Sequence, residues 1–320
     1  MVLLEIGVLA VSLFALAKSA GIVAENAAKL SRFFGISQMA VGFLLLSIST
    51  SLPELSVSIL SSTLGEGAIA AGNVFGSNIA NILLVLGAGA FLYGIKIGKT
   101  ELKDVALVLS LTTIISAYII FNSYIRLQAL GFGEGILLLM IFGWYVVSVL
   151  RRQKVEVNGD GKITKKEALR AFLFFSAAIL VVFISSGFVV EVAVRISKAL
   201  GIAESFIGAT AIALGTSLPE LAIDLQAIRK RHYGLALGDA IGSNMVNLTL
   251  VLGIAAVINP ITIMLPVFIA ALLFAIAANA FLFYSAAVER KLWRVGGALF
   301  LAAYVLFVLT IFYLQLSELS

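Results

Sequence analysis

Long apolar runs separated by short polar breaks organise the whole chain. Runs such as Val105 to Phe121 and Ile136 to Leu150 reach, with their flanks, the roughly 17 to 25 residues that a helix needs to cross a bilayer. The alternation predicts an all-α membrane protein with ten transmembrane helices embedded in the lipid bilayer. The predicted spans are 2–28, 38–64, 67–92, 103–123, 131–150, 169–194, 205–228, 234–258, 261–285 and 295–316.

The composition agrees with a membrane protein and excludes several other classes. Hydrophobic residues make up 61% of the 320 residues and charged residues only 12%, whereas a soluble domain carries about 25% charged residues. The chain has no cysteine and a single histidine, His232, so disulfide frameworks, thiolate metal sites and imidazole metal clusters are excluded. The net charge of +5 comes mostly from basic residues at the ends of apolar runs, which argues against nucleic-acid binding.

The basic residues also predict an orientation in the membrane. Most of the 22 Lys and Arg residues fall in odd-numbered loops, and cytoplasmic loops carry the excess of positive charge. We therefore expect both termini outside and the loop 151–168 in the cytoplasm. The N-terminal run Val2 to Ala17 carries Glu5 instead of a basic region, so we expect it to remain as a span and not to be removed as a signal peptide.

An internal repeat divides the chain into two halves. Shifting the sequence by 166 positions (185 − 19) aligns Ser19 to Leu92 with Ser185 to Ile258 without a gap, and the string TSLPEL occurs in both copies. Each half, 1–150 and 169–320, holds five predicted spans, so the second copy enters the membrane from the opposite side. Two inverted five-helix repeats joined by the 151–168 linker are a common plan of secondary transporters.

Two glutamates occupy equivalent positions deep in the second and seventh spans. Placing Glu54 and Glu220 at bilayer depth costs at least about 2.5 to 3.5 kcal/mol each. No Lys or Arg lies near the middle of the repeated spans, so a bound cation or a proton is the expected partner. The alternative is a pair of permanently protonated structural carboxyls.

A proline precedes each glutamate and a threonine lies one turn earlier. Pro53 and Pro219 have no N–H and cannot continue a regular helix, so each interrupts its span and frees a backbone carbonyl. Thr50 and Thr216 fall four residues before the glutamates and therefore on the same helix face. They are candidate ligands, although a threonine that bonds its own backbone would give the same pattern.

The strings GNVFGSNIAN and GDAIGSNMVN place a polar stripe on the third and eighth spans. The glycines between the polar residues favour close helix packing. We expect ligand or supporting roles for the serine and the last asparagine of each string, since polar groups in spans usually face a cavity or a partner. The two stripes consist of Asn73, Ser77, Asn81 and of Asp239, Ser243, Asn247.

Carboxylates, hydroxyls, amide oxygens and backbone carbonyls are hard ligands. Ca²⁺ accepts six to eight such oxygens in flexible geometry, whereas Mg²⁺ gives up its water reluctantly. Two glutamates also neutralise one divalent ion. The pattern therefore favours Ca²⁺ as the transported ion, with Na⁺ and H⁺ as competitors and no resident cofactor.

At these motifs the chain resembles the calcium/cation antiporter superfamily, whose two inverted repeats carry GTSLPE and GN..GSN. The resemblance implies alternating access, with spans 2, 3, 7 and 8 forming the ion site and spans 1 and 6 sliding across them. It also adds the serines that follow the threonines to the ligand set. The implied ligands are Thr50, Ser51, Glu54, Ser77, Asn81, Thr216, Ser217, Glu220 and Ser243.

Two departures from the family pattern bear on the counter-ion. Ser49 replaces the glycine of the first motif, and Asn247 stands where sodium/calcium exchangers often have an aspartate. With two central acids, one Ca²⁺ can exchange for two protons, so we favour H⁺ narrowly over Na⁺, although GTSLPE resembles the sodium-coupled branch. A cation channel is a less favoured alternative because inverted repeats with kinked helices suit a carrier. An enzyme is not expected, since no histidine base accompanies the serines.

Two further features are weaker. The stretch Glu156 to Glu167 resembles an EF-hand calcium loop but begins with glutamate and has no partner hand, so a solvated turn is favoured. Glu25, Glu191 and Asp224 can line an ion pathway, or be interfacial charges. The sequence indicates no oligomeric state.

Overall fold

Helices account for nearly all of the fold, because a chain in lipid must satisfy its backbone N–H and C=O groups internally. The computed structural model describes residues 2–126, 130–152, 163–199, 215–261 and 265–319. In the first half the elements are α1 Val2–Phe34, α2 Gln38–Val41, π1 Gly42–Leu46, α3 Ser47–Thr50, α4 Leu52–Thr63, α5 Gly67–Ile79, π2 Ala80–Leu86, α6 Gly87–Tyr93, β1 Ile95–Lys96, α7 Lys99–Arg126 and α8 Phe132–Arg152.

The second half follows the same order of long and interrupted helices. Its elements are α9 Lys165–Ala199, α10 Leu218–Arg229, α11 Tyr233–Val246, π3 Asn247–Val251, α12 Leu252–Ile258, α13 Leu265–Tyr284, π4 Ser285–Glu289, β2 Lys291–Leu292 and α14 Arg294–Leu319.

The described helices make this an integral multi-pass membrane protein. Eight of them are long and apolar enough to cross a membrane, and the bent pair Gln38–Thr50 with Leu52–Thr63 makes a ninth span within the described residues. These nine agree with nine of the predicted spans. The predicted span 205–228 is described only from residue 215 onward, so the count of ten remains a prediction.

Both repeated spans break just before the proline. Helix α3 ends at Thr50, α4 begins at Leu52, and the two are bent by 44°. Ser51 at the break has φ −78° and ψ 5°, and the corresponding Ser217 has φ −89° and ψ 4°. Pro53 and Pro219 then fall in the first turn of the new helix, where a missing N–H costs nothing. The predicted interruption is confirmed in both copies.

Among the described residues, four segments widen from the α-helical to the π-helical hydrogen-bond pattern, which the residue pattern does not predict. Asn81 lies in π2 and Asn247 begins π3. The polar stripes on the third and eighth spans are therefore not carried by regular α-helices along their whole length. Single π turns inside α-helices are frequent at functional sites.

Helices α1 and α9 pack along one another in opposite directions. Glu5 near the start of α1 meets Arg195 near the end of α9, with the guanidinium Nε 3.6 Å from the carboxylate. Both helices also contact α10. The two long spans assigned to gating thus form one antiparallel pair beside a helix that carries a central glutamate.

The second span lies unusually close to α11, and glycines permit the approach. A Cβ at Gly42 in π1 would lie 2.5 Å from the carbonyl oxygen of Leu235 and 2.8 Å from the amide nitrogen of Asp239. A Cβ at Gly238 would clash with the carbonyl oxygen of Met39. This backbone contact brings a broken span of the first half against a motif helix of the second.

Two short antiparallel pairings also join the halves. Ile95 pairs with Leu292 between β1 and β2, and Leu130 pairs with Ile261 in an isolated bridge. Ile95 and Ile261 are 166 positions apart (261 − 95) and follow the two motif helices. The first half therefore contacts the loop before α14, and the second half contacts the loop before α8, in a reciprocal arrangement.

Candidate ion-binding site

The two predicted central glutamates are buried where their helices begin. Glu54 and Glu220 lie in the first turns of α4 and α10, and each residue is 1% exposed. The positive end of the helix dipole favours a negative charge at this position. The carboxyls of Glu54 and Glu220 interact electrostatically, so the fold brings the acids of the two halves into one site.

Hydroxyl groups from both halves surround the glutamates. The Ser77 hydroxyl donates to Glu54 Oε1 over 3.1 Å, and it lies 3.5 Å from the Thr216 hydroxyl. The Thr50 hydroxyl lies 3.4 Å from that of Ser243. Thr216 also faces Glu54, and Thr50 faces Glu220. Each threonine therefore hydrogen-bonds the glutamate of the opposite half.

Four asparagines form a reciprocal clasp between the motif helices. Asn244 Nδ2 donates to the backbone oxygen of Asn78 over 3.0 Å, and Asn78 Nδ2 donates to that of Asn244 over 3.4 Å. Asn81 Nδ2 donates to Asn244 Oδ1 over 3.1 Å, and Asn247 Nδ2 donates to Asn78 Oδ1 over 3.2 Å. The side-chain amide nitrogens of Asn81 and Asn247 thus donate hydrogen bonds within the clasp, whereas their side-chain oxygens have no hydrogen-bond partner among the described residues.

Sequence reasoning missed Asn78 and Asn244, which hold these two predicted ligands in place. The available signal was the Ser-Asn pair that recurs in both GSN strings. Their side chains lie outside the stripe spaced by four residues, which is why the stripe did not include them.

Six predicted ligands each keep one buried oxygen without a hydrogen-bond partner among the described residues. A buried polar atom usually has a partner, so six exceptions within one ligand set call for a physical explanation. They are distributed as three equivalent pairs, one member in each half. The atoms are Ser51 Oγ, Glu54 Oε2, Asn81 Oδ1, Ser217 Oγ, Glu220 Oε2 and Asn247 Oδ1.

Two further acids are buried near the predicted central pair. Asp239 and Asp224 are both 0% exposed, so four carboxyls are buried among the described residues. Thr50 and Ser243 donate to Asp239 Oδ1 over 3.2 Å and 3.4 Å, which joins Asp239 directly to the predicted ligands. An aspartate at this position was visible in the stripe, but the direction it faces depends on the packing of α11 against the second span.

The buried acids have no buried basic partner. No Lys or Arg whose side chain is described is buried. In the described part of the chain, no three carboxyl or imidazole side chains form a tight metal-binding group. A cation held here would therefore need hydroxyl and amide oxygens in addition to carboxylates, which is the donor set that Ca²⁺ and Na⁺ accept.

Two of the three acids predicted to line a pathway, Glu25 and Glu191, lie outside this centre. Glu25 accepts from Lys230 over 2.6 Å, and Glu191 lies 3.6 Å from Arg195 one turn later on α9. Both side chains are more than half exposed, so they belong to the ion pairs of the helix ends. They are not part of the glutamate site.

Most of the loop that resembles an EF-hand, residues 156–162, lies outside the described residues. Its last part caps α9: Glu167 accepts from the backbone and the hydroxyl of Thr164 over 2.9 Å and 2.8 Å, and Thr164 accepts from the Glu167 amide over 3.3 Å. This is the capping box of a helix start.

His232 lies immediately before α11, outside the spans, and contacts the start of the second span. Its Nδ1 is 3.2 Å from Gln38 Nε2. Burial lowers the pKa of His232 from its ordinary value of 6.5, and the charges of Lys230 and Arg32 lower this pKa further. The neutral ring is therefore favoured at this contact.

Comparisons with known proteins match most of the chain. The family described as sodium/calcium exchanger protein matches residues 4–151 and 170–313. The inner membrane protein YrbG of Escherichia coli is 32% identical over 268 residues, which cover 81% of each chain. The sodium/calcium exchanger MaX1 of Methanosarcina acetivorans is 28% identical over 352 aligned positions, covering 96% of this chain and 98% of MaX1.

A solved structure has the same fold. The sodium-calcium exchanger NCX_Mj, from a crystal soaked with 10 mM Na⁺ and no Ca²⁺, superposes with a TM-score of 0.81 at 27% identity. The match covers 96% of this chain and 98% of NCX_Mj. Since the matched family is one of exchangers, the chain is classed with transporters and not with enzymes.

Proposed function

Because this chain belongs to the sodium/calcium exchanger family, we propose that it exchanges Ca²⁺ for a monovalent cation by alternating access. Glu54 and Glu220 are the central ligands of Ca²⁺ in this proposal. Ca²⁺ is cargo and not a resident cofactor. Nucleic acid is not an expected partner.

The observation that carries the proposal is the set of six unpartnered buried oxygens. Each belongs to a predicted ligand, and three come from each half. Leaving a buried acceptor unpaired costs about 1 to 3 kcal/mol, so this arrangement is costly unless something binds there. Six oxygens that include two carboxylates match the number and charge that a bound Ca²⁺ accepts.

The two halves act as inverted repeats of five spans each, 1–150 and 169–320, joined by the linker 151–168. Equivalent breaks at Ser51 and Ser217 support this plan, as do the reciprocal bonds between Asn78 and Asn244. Both bonds join residues 166 positions apart. The paired helices α1 and α9 would slide across the site and expose it to each side in turn.

Sodium is the better counter-ion on the observed acids. The preference for protons came from counting two central acids, whereas four carboxyls are buried in the described part of the chain. Four carboxylates can balance Na⁺ ions as well as one Ca²⁺, so acid counting no longer opposes sodium. Protons remain a second candidate, because Asn247 leaves one carboxylate fewer at the position that is often acidic in sodium-coupled relatives.

We further propose that both termini lie outside and that the 151–168 loop is cytoplasmic. The chain has no native cysteine, so single cysteines report topology cleanly. Lys166→Cys should react with a membrane-impermeant maleimide only from the cytoplasmic side, and Glu66→Cys only from the outside. Labelling of each cysteine from the opposite side would show that the protein has the reverse orientation in the membrane.

Calcium flux into proteoliposomes tests the roles of the glutamates. Glu54→Gln and Glu220→Gln should each lower Ca²⁺ uptake at least tenfold, because the neutral amide removes one of the two charges that balance Ca²⁺. Glu66→Gln, in an exposed turn, is the matched control and should transport normally. Normal uptake by both buried variants would rule the site out.

The counter-ion is identified with gradients of one ion at a time. Vesicles loaded with Na⁺ or with H⁺ are diluted into medium that contains labelled Ca²⁺. Uptake driven by the Na⁺ gradient at fixed pH supports sodium coupling. Uptake driven only by the H⁺ gradient would assign the counter-ion to protons and overturn the sodium assignment.

A further inference from the structure

The two halves differ in charge at one pair of equivalent positions beside the glutamates. In the first half Asn73 Nδ2 donates to the Ser58 hydroxyl over 3.1 Å and to the Glu54 backbone oxygen over 3.0 Å. The residues 166 positions later (58 + 166 and 73 + 166) are Asp224 and Asp239. A neutral, hydrogen-bonded pair in one half is thus replaced by two carboxyls in the other.

These two carboxyls face one another without a donor between them. They lie within hydrogen-bonding reach, but two ionised carboxylates cannot donate to each other. Neither oxygen of Asp224 has a partner among the described residues, and Asp239 Oδ2 has none either. Both side chains are 0% exposed.

Burying two adjacent carboxylates without compensation is strongly unfavourable, because desolvation and mutual repulsion add. The described basic side chains offer no compensation, since none of them is buried. A proton shared by the pair or a metal cation from outside the chain must therefore supply the compensation. Carboxylate oxygens favour a hard ion such as Ca²⁺ or Na⁺.

We propose that Asp224 and Asp239 form a second subsite for a hard metal cation, next to the site of the two glutamates. Asp239 links the two sites, because its Oδ1 accepts from Thr50 and Ser243. The neutral Ser58 and Asn73 cannot form the same subsite in the first half. The chain would therefore bind one more cation than a pseudosymmetric site based on Glu54 and Glu220 alone. The subsite rests on the proposed transport function only for its role in exchange, and it can be tested separately.

The equivalent positions of the first half provide the substitutions that test the subsite. Asp224→Ser together with Asp239→Asn converts the second half to the Ser58 and Asn73 pair that already packs in the first half. The measurement is the number of cations bound per chain of the full-length, detergent-purified protein. Equilibrium dialysis with labelled Ca²⁺ in Na⁺-free buffer is one arm, and dialysis with labelled Na⁺ in Ca²⁺-free buffer is the other.

The double variant should bind one cation fewer per chain than wild type in at least one arm, and that arm identifies the ion. It should keep the Ca²⁺ held by the glutamates, because the amide oxygen introduced by Asp239→Asn can still accept from Thr50 and Ser243. This bound Ca²⁺ also reports that the variant is folded. An unchanged number in both arms would overturn the subsite and would leave a shared proton as the charge balance. Loss of all bound Ca²⁺ would also overturn it, because the aspartates would then be supports of the central site.

A companion variant separates this inference from the proposed function. Glu54→Gln with Glu220→Gln should lose the central Ca²⁺ and keep the cation of the aspartate pair. If this variant keeps the full number of cations, the glutamate site fails while the aspartate subsite stands. If only the aspartate variant keeps the full number of bound cations, the aspartate subsite fails while the glutamate site stands.

Discussion

The closest test of the packing that builds the site is Gly238→Ala. Gly238 lies where α11 meets the start of the second span, and the obstacle to a side chain is backbone. A methyl group there would clash with the Met39 carbonyl oxygen and would lie 3.0 Å from Gly42 Cα. A flexible side chain could turn aside, but a helix backbone moves only as a unit.

The geometry sets the size of the effect. Carbon atoms pack best at about 3.5 to 4.0 Å, so α11 must retreat from the second span by about 1 Å. Thr50 is 3.2 Å from Asp239 and 3.4 Å from Ser243, and both bonds would exceed hydrogen-bond range after such a shift. Overpacking costs about 1 to 3 kcal/mol, and a backbone obstacle places this case near 3, which is roughly a hundredfold in the folding equilibrium.

Thermal stability and calcium binding of the purified protein measure both consequences. Gly238→Ala should lower the apparent Tm on fluorescence-detected size-exclusion chromatography and weaken Ca²⁺ binding at least tenfold. Gly143→Ala in α8 is the matched control, since a Cβ at Gly143 meets nothing within 4 Å among the described residues. A Gly238→Ala protein with the Tm and calcium affinity of wild type would refute the argument from close backbone contact.

Three further predictions follow from individual contacts. In ¹³C-labelled protein the pKa of His232 measured by NMR should fall below 6.5, because burial and nearby positive charges disfavour its protonation. The stability that the neutral ring contributes is present above pH 6.5 and is lost as the pH falls through the pKa of the folded protein. A measured pKa at or above 6.5 contradicts this. Lys230→Gln removes the 2.6 Å ion pair with Glu25 on α1. It should change the maximal rate of calcium flux while the half-saturating Ca²⁺ concentration stays constant. A change in the half-saturating concentration without a change in the maximal rate would contradict this prediction. Asn244→Ala leaves the amide of Asn81 unpaired at a cost of about 1 to 3 kcal/mol, so it should lower both the Tm and the calcium affinity, and a wild-type Tm would count against the clasp.

Much of the architecture was predictable because the membrane limits what a chain can do. The apolar runs locate the spans, since only a helix satisfies the backbone in lipid. Pro53 and Pro219 predict the breaks, because a proline can begin a helix but cannot continue one. The repeated TSLPEL string predicts that Glu54 and Glu220 play equivalent roles, and the fold buries both to the same extent.

The contacts between the halves were not predictable from one pattern read along the chain. Periodicity assigns a residue to a helix face but does not say which helix the face meets. Asn78 and Asn244 therefore did not stand out, although each bonds the other's backbone. The π segments add to this, because each rotates the following residues away from the face expected of a regular α-helix.

The difference in acid count follows from the same limitation and affects the mechanism most. A repeat directs attention to what the halves share, and the buried acids that they share are Glu54 and Glu220. Asp224 and Asp239 stand where the first half has serine and asparagine, so a search for symmetry passes over them. Yet exchange requires one site to accept two different cation loads, and acids that belong to one half alone can contribute to this without altering the packing that both halves share. The asymmetric positions are therefore the place to look for what sets the counter-ion, and the symmetric ones for what holds calcium.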